Sequence, residues 1–489
     1  MPKGKVVSRI WDKITWLLWS LCVIALPFST LPLVMRLTGS SSVAPGSLLF
    51  LIPLVILILP VLMKDRLPLP FHVKPVLLFF LFALLTISLA FITQVPDYKD
   101  QSILLAGLEG AVTLGVGLLF YLVSVFMPRS RQRIELTLRL LNWTGLVLVL
   151  WSILQVTLEP IYPAGKPVLN EIQKFFSPTR LIENRMLGFA SEPSWLAHML
   201  NLVFLAYWLG ATYTGTSAHS WRIWKLSFEN LLLGLGVIVL AGTLSRGGLM
   251  AFLLVFSLIF VLLNLRLIRW LVRKTSGRRR HFLTATVTLV LIVVYSGLIV
   301  AGLWGLSKVD PRMENVFQFS RNETNPLLNY ADELQFGERV IYWQTGWNIF
   351  NDHPIMGVGV GFSGFYFPHY LPDSGWGLSE VRQLLYRSEG LMNIKNLWVR
   401  LLAETGIIGF SLFLNFLVIF AVLAIDMIRR GKGMRKTLGF TGVFMLTALI
   451  AEEFSVDSFA LPYMWFTLGL VTAAWRWYKP AEPTPLKSP

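Results

Sequence analysis

Arginines in two unusual segments are the residues of this chain whose chemistry is most specific. Arg246 lies in TLSRGG (243–248), a tight turn between two apolar runs, and Arg339 opens the segment GERVIYWQTGWNIFNDHPIMGVGVGF (337–362). A guanidinium stays charged in a low dielectric and can bind two phosphate oxygens at once. The alternatives are an interfacial arginine that snorkels to water for Arg246 and a surface ion pair with Glu338 for Arg339.

Glu192, in FASEPSWLAH (189–198), is the candidate proton acceptor. It stands where a membrane span is expected to begin, with Ser191 as the predicted N-cap and Pro193 as the first helical residue. A carboxylate at that position could accept a proton from a hydroxyl. The alternative is a charge placed favourably at the positive end of a helix dipole. His198 falls more than one turn into the span, where a packed histidine is expected.

Several further charged residues are secondary candidates for binding or for structure. Arg400 and Glu404, four residues apart in LLAETG, favour a structural ion pair on one helix face. His353 precedes a proline in a turn, which favours a structural cap over catalysis. Secondary candidates for binding an anion or a sugar are Arg180, Arg185, Arg400 and His353, and alternatives for lining an acceptor cavity are Glu109, Glu452 and Glu453.

The composition shows which elements must position these residues. Of 489 residues, 55% are hydrophobic and only 14% are charged, where a soluble chain would carry about a quarter charged residues. Apolar runs long enough to cross a bilayer recur along the chain. The predicted fold is therefore all-α and polytopic, with twelve spans at 14–36, 46–63, 76–93, 103–127, 140–158, 194–212, 229–244, 248–265, 282–305, 397–427, 437–454 and 458–476.

The distribution of basic residues predicts the orientation. Most of the 43 lysines and arginines fall in alternate loops and in the two termini, which the positive-inside rule assigns to the cytoplasm. The net charge of +16 therefore indicates topology and contact with membrane lipids, and nucleic acid is not expected as a partner. The single cysteine, Cys22, allows no intramolecular disulfide and argues against a cysteine-ligated metal.

Two outer segments are longer than simple loops. Residues 1–305 are expected to hold nine spans with a medium outer loop at 159–193, followed by a large outer loop at 306–396. Three further spans at 397–476 and a cytoplasmic tail at 477–489 complete the chain.

Within the large loop, residues 338–350 predict an amphipathic helix whose apolar stripe lies against the membrane or the bundle. That stripe comprises Val340, Trp343, Trp347 and Phe350. Pro354 ends the helix, and the glycines at 357, 359 and 361 allow a close approach of the backbone to a neighbour.

Three motifs in order resemble the bacterial O-antigen ligase and polysaccharide polymerase family. They are TLSRGG, the arginine-bearing helix followed by HPxxGxGxGxF (353–362), and N…LLAETGxxGF (396–410). The resemblance covers roughly residues 230–430. It implies a membrane-embedded glycosyltransferase of the GT-C-like type in the bacterial inner membrane, with its active site on the outer face and both termini in the cytoplasm.

The resemblance also implies the substrates. The donor is a glycan on undecaprenyl pyrophosphate, and the acceptor is a second lipid-linked unit in polymerases or lipid A core in ligases. Neither a metal nor another cofactor is expected, because arginines hold the pyrophosphate, and a chain-length regulator is a possible partner. Arg246 and Arg339 are the expected pyrophosphate ligands, with Glu192 as the third catalytic candidate.

One departure from the family pattern bears on the choice between the two reactions. Family ligases have a histidine immediately before the asparagine of the third motif, whereas this chain has Lys395 before Asn396. A lysine base would have to be neutral, and as a cation Lys395 would bind phosphate or sugar instead. We therefore expect a polymerase, with an inverting reaction if no covalent intermediate forms; a ligase is the first alternative and a transporter-like protein the second.

Overall fold

The computed structural model describes residues 3–39, 43–65, 70–162, 165–272, 277–309 and 336–478. Its helices, numbered in chain order, are α1 Lys3–Ile24, α2 Pro32–Thr38, α3 Leu48–Asp65, α4 Lys74–Ala90, α5 Ile103–Phe126, α6 Arg131–Ile161, α7 Lys166–Lys174, α8 Pro193–Met199, α9 Leu205–Thr214, α10 Phe228–Gly242, α11 Arg246–Val272, α12 Arg278–Val309, α13 Gly337–Asp352, α14 Ser363–Tyr370, α15 Ser379–Tyr386, α16 Leu397–Arg430, α17 Met434–Glu452 and α18 Pro462–Trp477.

Three shorter helical turns and one hairpin complete these elements. A π-helical turn, Leu200–Phe204, joins α8 to α9. Phe71–Val73 and Asp373–Gly377 are 3-10 turns. A small hairpin pairs β1 (Arg222–Ile223) with β2 (Leu226–Ser227), with Arg222 opposite Ser227 and Ile223 opposite Leu226.

Eight of the described helical segments are long and apolar enough to cross a membrane. They are Phe71–Ala90, Ile103–Phe126, Arg131–Leu158, Pro193–Thr214, Arg246–Trp270, His281–Gly302, Leu397–Arg430 and Met434–Glu452. Leu48–Pro60 and Phe228–Gly242 are apolar but shorter. The predicted fold class, an all-α polytopic membrane protein, is confirmed.

Some predicted boundaries differ from the structure. The span predicted at 14–36 was wrong as one helix, because α1 ends at Ile24 and the chain turns through Pro27 before α2 begins at Pro32; proline interrupts helical hydrogen bonding. The last predicted span corresponds to α18, which has 16 residues. Residues 310–335 of the predicted large loop and 479–489 of the tail lie outside the described residues.

Helix α18 forms the centre of the bundle. Every residue from Pro462 to Ala474 is buried, and the helix packs along α5 and against α17. Small residues make that packing close: a Cβ at Gly117 would lie 2.5 Å from the indole nitrogen of Trp465, and one at Gly469 would lie 2.4 Å from Ser124. Close backbone approach at small residues is how membrane helices gain dispersion energy without a hydrophobic driving force.

The glycine-rich segment after α13 fits into a break in α16. Gly406 has φ 61° and ψ −169°, which interrupts the helix. The amides of Val358 and Gly359 donate to the carbonyls of Ala403 and Glu404, both at 2.9 Å, and the Ile407 amide donates to Pro354 at 2.8 Å. The predicted close approach of this segment is therefore to the backbone of α16, and the second and third motifs form one junction.

Candidate active site

One cavity brings together residues from four parts of the chain. It has a volume of about 340 Å³ and lies where α8 and α11 begin, beside the start of α13 and the loop that follows α17. Its lining is rich in basic and small polar side chains: Arg185, Glu192, Pro193, Ser194, Leu244, Ser245, Arg246, Gly247, Phe336, Arg339 and Ser455. The three residues predicted to be catalytic, Glu192, Arg246 and Arg339, all line this cavity.

Arg246 is placed by the turn between α10 and α11. Thr243 ends α10 by donating from its hydroxyl to the Leu240 carbonyl, and the same hydroxyl accepts the Ser245 amide at 3.1 Å. The Ser245 hydroxyl then accepts the Gly248 amide at 3.4 Å, so Ser245 caps α11 and Arg246 is its first residue. The glycines are needed because a Cβ at Gly248 would lie 2.4 Å from that of Ala197.

Arg339 enters the same cavity from the first turn of α13. Its Nη1 donates to the Ser455 carbonyl at 3.3 Å, and this side chain is half-buried. The predicted helix is confirmed, but the apolar stripe is not its buried face. Trp347 is 49% exposed, and the residues packed against the bundle are Ile341, Tyr342, Thr345, Gly346 and Ile349. This face is the buried one because Gly346 has no side chain, so Ile394 and Val399 can pack closely against it.

Arg185 and Glu192 come from the segment between α7 and α8. Arg185 donates from Nε to the Thr243 carbonyl at 3.0 Å, next to the bond from the Met186 amide to Gly242 at 2.8 Å. Glu192 is itself the N-cap residue of α8, so the prediction of Ser191 as the N-cap was wrong, whereas Pro193 is the first helical residue as predicted. The exposed Glu192 carboxylate accepts a hydrogen bond from Ser194 at 3.0 Å.

The electrostatics of the cavity favour an anion. Three guanidinium groups, those of Arg185, Arg246 and Arg339, line it together with one carboxylate, Glu192, among the described lining residues. Two membrane segments, Pro193–Thr214 and Arg246–Trp270, begin at its wall. The positive ends of their dipoles add to the arginine charges, and a helix N-terminus is a recurrent binding site for phosphate groups.

The remaining predicted site residues are not among the lining residues. Arg180 is exposed in the segment that precedes α8. His353 ends α13: its amide donates to Ile349 at 3.0 Å, its carbonyl accepts from Gly357, and its ring packs against Tyr366. This is the structural role that the sequence favoured.

Lys395 is held in a small cluster of its own. Its ammonium lies 2.8 Å from a carboxylate oxygen of Glu380 and 4.9 Å from the centre of the Tyr342 ring. The Tyr342 hydroxyl donates to the same oxygen of Glu380 at 2.9 Å. Burial would raise the pKa of Glu380, but the hydrogen bond and charge of Lys395 lower it below its ordinary value. This arrangement holds the Lys395 side chain in an ion pair with Glu380, packed against the Tyr342 ring.

Asn396 and Arg400 organise the start of α16. Asn396 is its N-cap and accepts the Val399 amide at 3.2 Å. Arg400 donates to Glu404 at 3.0 Å and to the Asp457 carbonyl at 3.0 Å, and Ser363 donates to the other oxygen of Glu404. The predicted ion pair between Arg400 and Glu404 is present, and Arg400 also connects the start of α16 to the loop that follows α17 through the Asp457 carbonyl.

Sequence reasoning missed the loop after α17. Ser455 lines the cavity and receives Arg339, while Glu452 and Glu453, proposed as alternatives for lining an acceptor cavity, are buried beside His198 and are not among the lining residues. Glu109 is exposed and does not line it either. The sequence held part of this information. Two adjacent acidic residues at the end of an apolar helix cannot both face lipid, so at least one must lie inside the protein.

The fold and the cavity together define an integral membrane protein with an arginine-lined cavity at one end of its helical bundle. Residues 231–414 match the family model described as O-antigen ligase. The match supports the resemblance to the O-antigen ligase and polymerase family that the three motifs predicted, and it indicates a function of the ligase or polymerase kind. No curated protein matches the chain.

Proposed function

We propose that this protein is a glycosyltransferase that joins oligosaccharide repeat units carried on undecaprenyl pyrophosphate. The observation that carries the proposal is the convergence of Arg185, Arg246 and Arg339 on one cavity at two helix N-termini. A pyrophosphate leaving group needs its growing negative charge stabilised, and fixed guanidinium groups can supply that stabilisation.

The proposed reaction is a single displacement. A hydroxyl oxygen of the acceptor unit forms a bond to the anomeric carbon of the donor as the bond from that carbon to the pyrophosphate oxygen breaks. The hydroxyl proton passes to the Glu192 carboxylate, and the pyrophosphate leaves with its charge on the arginines. A displacement of this kind inverts the anomeric centre.

The direction of the helices supports an outward-facing cavity. Basic residues stand at the far ends of the helices that reach the cavity, with Arg429 and Arg430 ending α16 and Arg435 in the first turn of α17. By the positive-inside rule, that far end is the cytoplasmic one. The cavity then opens to the outer face of the inner membrane, where lipid-linked repeat units are presented.

A polymerase is favoured over a ligase by Lys395. The family ligases have a histidine at this position, and Lys395 is bound to Glu380 as a cation. A ligase that transfers the glycan to lipid A core is the second candidate, supported by the description of the matching family model. A transporter is less well supported, because the arginines gather at helix ends and not near the middle of the spans.

The test is a reconstitution with the purified protein and lipid-pyrophosphate repeat unit as the sole substrate. A ladder of longer products is the expected result, whereas reaction only after lipid A core is added would show a ligase. Arg246→Ala and Arg339→Ala should abolish the ladder, and Arg382→Ala, an exposed arginine on α15, is the matched control. Full activity in both cavity variants would overturn the proposal, and activity that survives EDTA would support a metal-independent reaction.

A further inference from the structure

A histidine and two carboxyl groups are buried together directly behind the cavity. His198 Nδ1 lies 3.6 Å from Glu452 and its Nε2 lies 3.9 Å from Glu453, and all three side chains are no more than 4% exposed. Within the described part of the chain, His198 Nδ1 has no hydrogen-bond partner. A buried polar atom without a hydrogen-bond partner is costly. Nδ1 is turned toward Glu452, so Nε2 is the ring nitrogen that faces the Glu453 carboxyl group.

The π-helical turn places a third polar side chain in this group. Asn201, in the turn Leu200–Phe204, donates from Nδ2 to Glu452 at 2.5 Å and to the Gly248 carbonyl at 2.8 Å. The Asn201 amide therefore links the Glu452 carboxyl group to the backbone of the first turn of α11. Isolated π-helical turns occur frequently at functional sites, and this one connects the carboxyl group to the first turn of α11.

The charges around His198 do not balance unless protons are retained. Four buried carboxyl groups lie in this region, those of Glu404, Glu452, Glu453 and Asp457. Arg400 pairs with Glu404 and approaches Asp457 at 3.8 Å. Arg400 supplies one positive charge against these four carboxyl groups, so ionisation of all four would leave three negative charges uncompensated among these groups. An uncompensated buried charge costs several kcal/mol, so a carboxyl group protonates instead.

In the described part of the chain, the other contacts given for these groups are with uncharged groups. From α18, the Tyr463 ring lies 5.9 Å from the His198 ring, and from the loop before α16, Asn393 donates to Asp457. From α11, the Gly248 carbonyl accepts a hydrogen bond from Asn201, which also donates to Glu452. Burial, together with the adjacent Glu452 and Asp457, raises the pKa of Glu453 well above its ordinary value. Glu453 is therefore the member best suited to hold the proton.

The same loop connects these groups to the cavity. Glu452 and Glu453 end α17, and the Glu452 carbonyl accepts the Ser455 amide at 2.9 Å. Ser455 lines the cavity and accepts the hydrogen bond from Arg339. A Cβ at Gly247, next to Arg246, would lie 2.9 Å from the Ser455 hydroxyl. The position of the loop thus sets where both arginines can lie.

We propose that Glu453 holds a proton beside His198 and that this buried acid–histidine unit positions Arg339 and Arg246 for the pyrophosphate. Glu453 and His198 are positioning residues, acting through Ser455 and the first turn of α11. When the proton is lost at alkaline pH, a further negative charge is left in the interior, the loop moves away from α8, and anion binding weakens. The role in positioning rests on the proposed function, whereas the proton on Glu453 does not.

The first test is independent of glycosyl transfer. Infrared spectroscopy of the purified full chain at neutral pH should show a protonated carboxyl band that Glu453→Gln removes and that Glu171→Gln, an exposed glutamate on α7, leaves unchanged. Glu453→Gln should keep the thermal stability of the wild type, and Glu452→Gln should lower it, because the Asn201 amide would then face another amide. Absence of the band, or the reverse order of stabilities, would overturn the assignment of the proton.

The second test measures binding of inorganic pyrophosphate by calorimetry across neutral and alkaline pH. The wild-type affinity should fall about tenfold or more at alkaline pH, the change expected when about 1.4 kcal/mol of binding free energy is lost. Glu453→Gln, which mimics the protonated acid, should remove this fall. If the affinity of Glu453→Gln falls at alkaline pH as much as that of the wild type, the buried unit has only a structural role and the positioning proposal is overturned. Binding that follows the expected profile without any ladder would instead mean that the proposed function fails.

Discussion

A Cβ on Gly406 would lie 2.2 Å from the carbonyl oxygen of Ile355. Two segments that are separate motifs in the sequence are therefore in backbone contact, and the break in α16 exists to receive the segment after His353. The part of α16 before the break contacts the loop after α17. There, the Leu397 amide donates to the backbone carbonyl of Glu453 at 2.8 Å.

Gly406→Ala should destabilise the protein. Its φ and ψ lie in a region that essentially only glycine adopts, at a cost on the order of 1–3 kcal/mol for another residue, and the clash with Ile355 adds to that cost. The thermal unfolding midpoint of the detergent-purified protein is the measurement. Gly377→Ala is the control, because nothing lies within 4 Å of a Cβ there; equal midpoints for the two variants would contradict the junction.

Arg246→Lys should lose most of the activity although it keeps the charge. A lysine presents a point charge where the guanidinium presents a planar fork, and loss of one stabilising donor for the leaving group costs about 10²–10³ in kcat. The product ladder is quantified at saturating donor, beside Arg382→Lys as the matched exchange. Wild-type kcat in Arg246→Lys would show that charge alone suffices.

Glu192→Gln should lower kcat with little change in the KM for the donor. Removing a general base typically costs about 10²–10⁴ in rate, whereas the arginines that bind the pyrophosphate stay in place. Ser194→Ala, which removes the hydrogen bond to Glu192, should have a smaller effect in the same direction. A rise in KM at unchanged kcat would instead assign Glu192 to substrate binding.

Lys395→Met should lower stability at neutral pH and much less in acid. The ion pair with Glu380 is partly exposed, so about 1 kcal/mol is expected. A carboxyl group with a lowered folded-state pKa contributes stability above its ordinary value of 4.5, and that contribution is lost as the pH falls through the lowered pKa.

The difference in unfolding midpoint between Lys395→Met and wild type should therefore shrink below that pH. Lys174→Met, which removes an exposed pair with Glu171, is the control. A difference that stays constant as the pH falls would mean that Lys395 acts by packing on Tyr342 and not through its charge.

Short-range patterns predicted most of the helices and the cavity residues Glu192, Arg246 and Arg339, but not Ser455. Hydropathy predicted the spans, because a bilayer requires long apolar helices, and the cost of a charge at the edge of a span pointed to Arg246. Pro193 and the helix at Arg339 followed from local backbone chemistry. The broken first span was missed because an apolar run does not reveal where Pro27 turns the chain.

The sequence by itself determined the class of protein, its helices and the arginines that meet in the cavity. Only the tertiary structure decided which charged groups share a surface. Lys395 and Arg400 lie in motifs as suggestive as that of Arg246, yet each is neutralised by a carboxylate brought from another segment or turn. The buried unit of His198, Glu452 and Glu453 depends on the packing of α8 against the end of α17, a long-range contact that spacing along the chain does not encode.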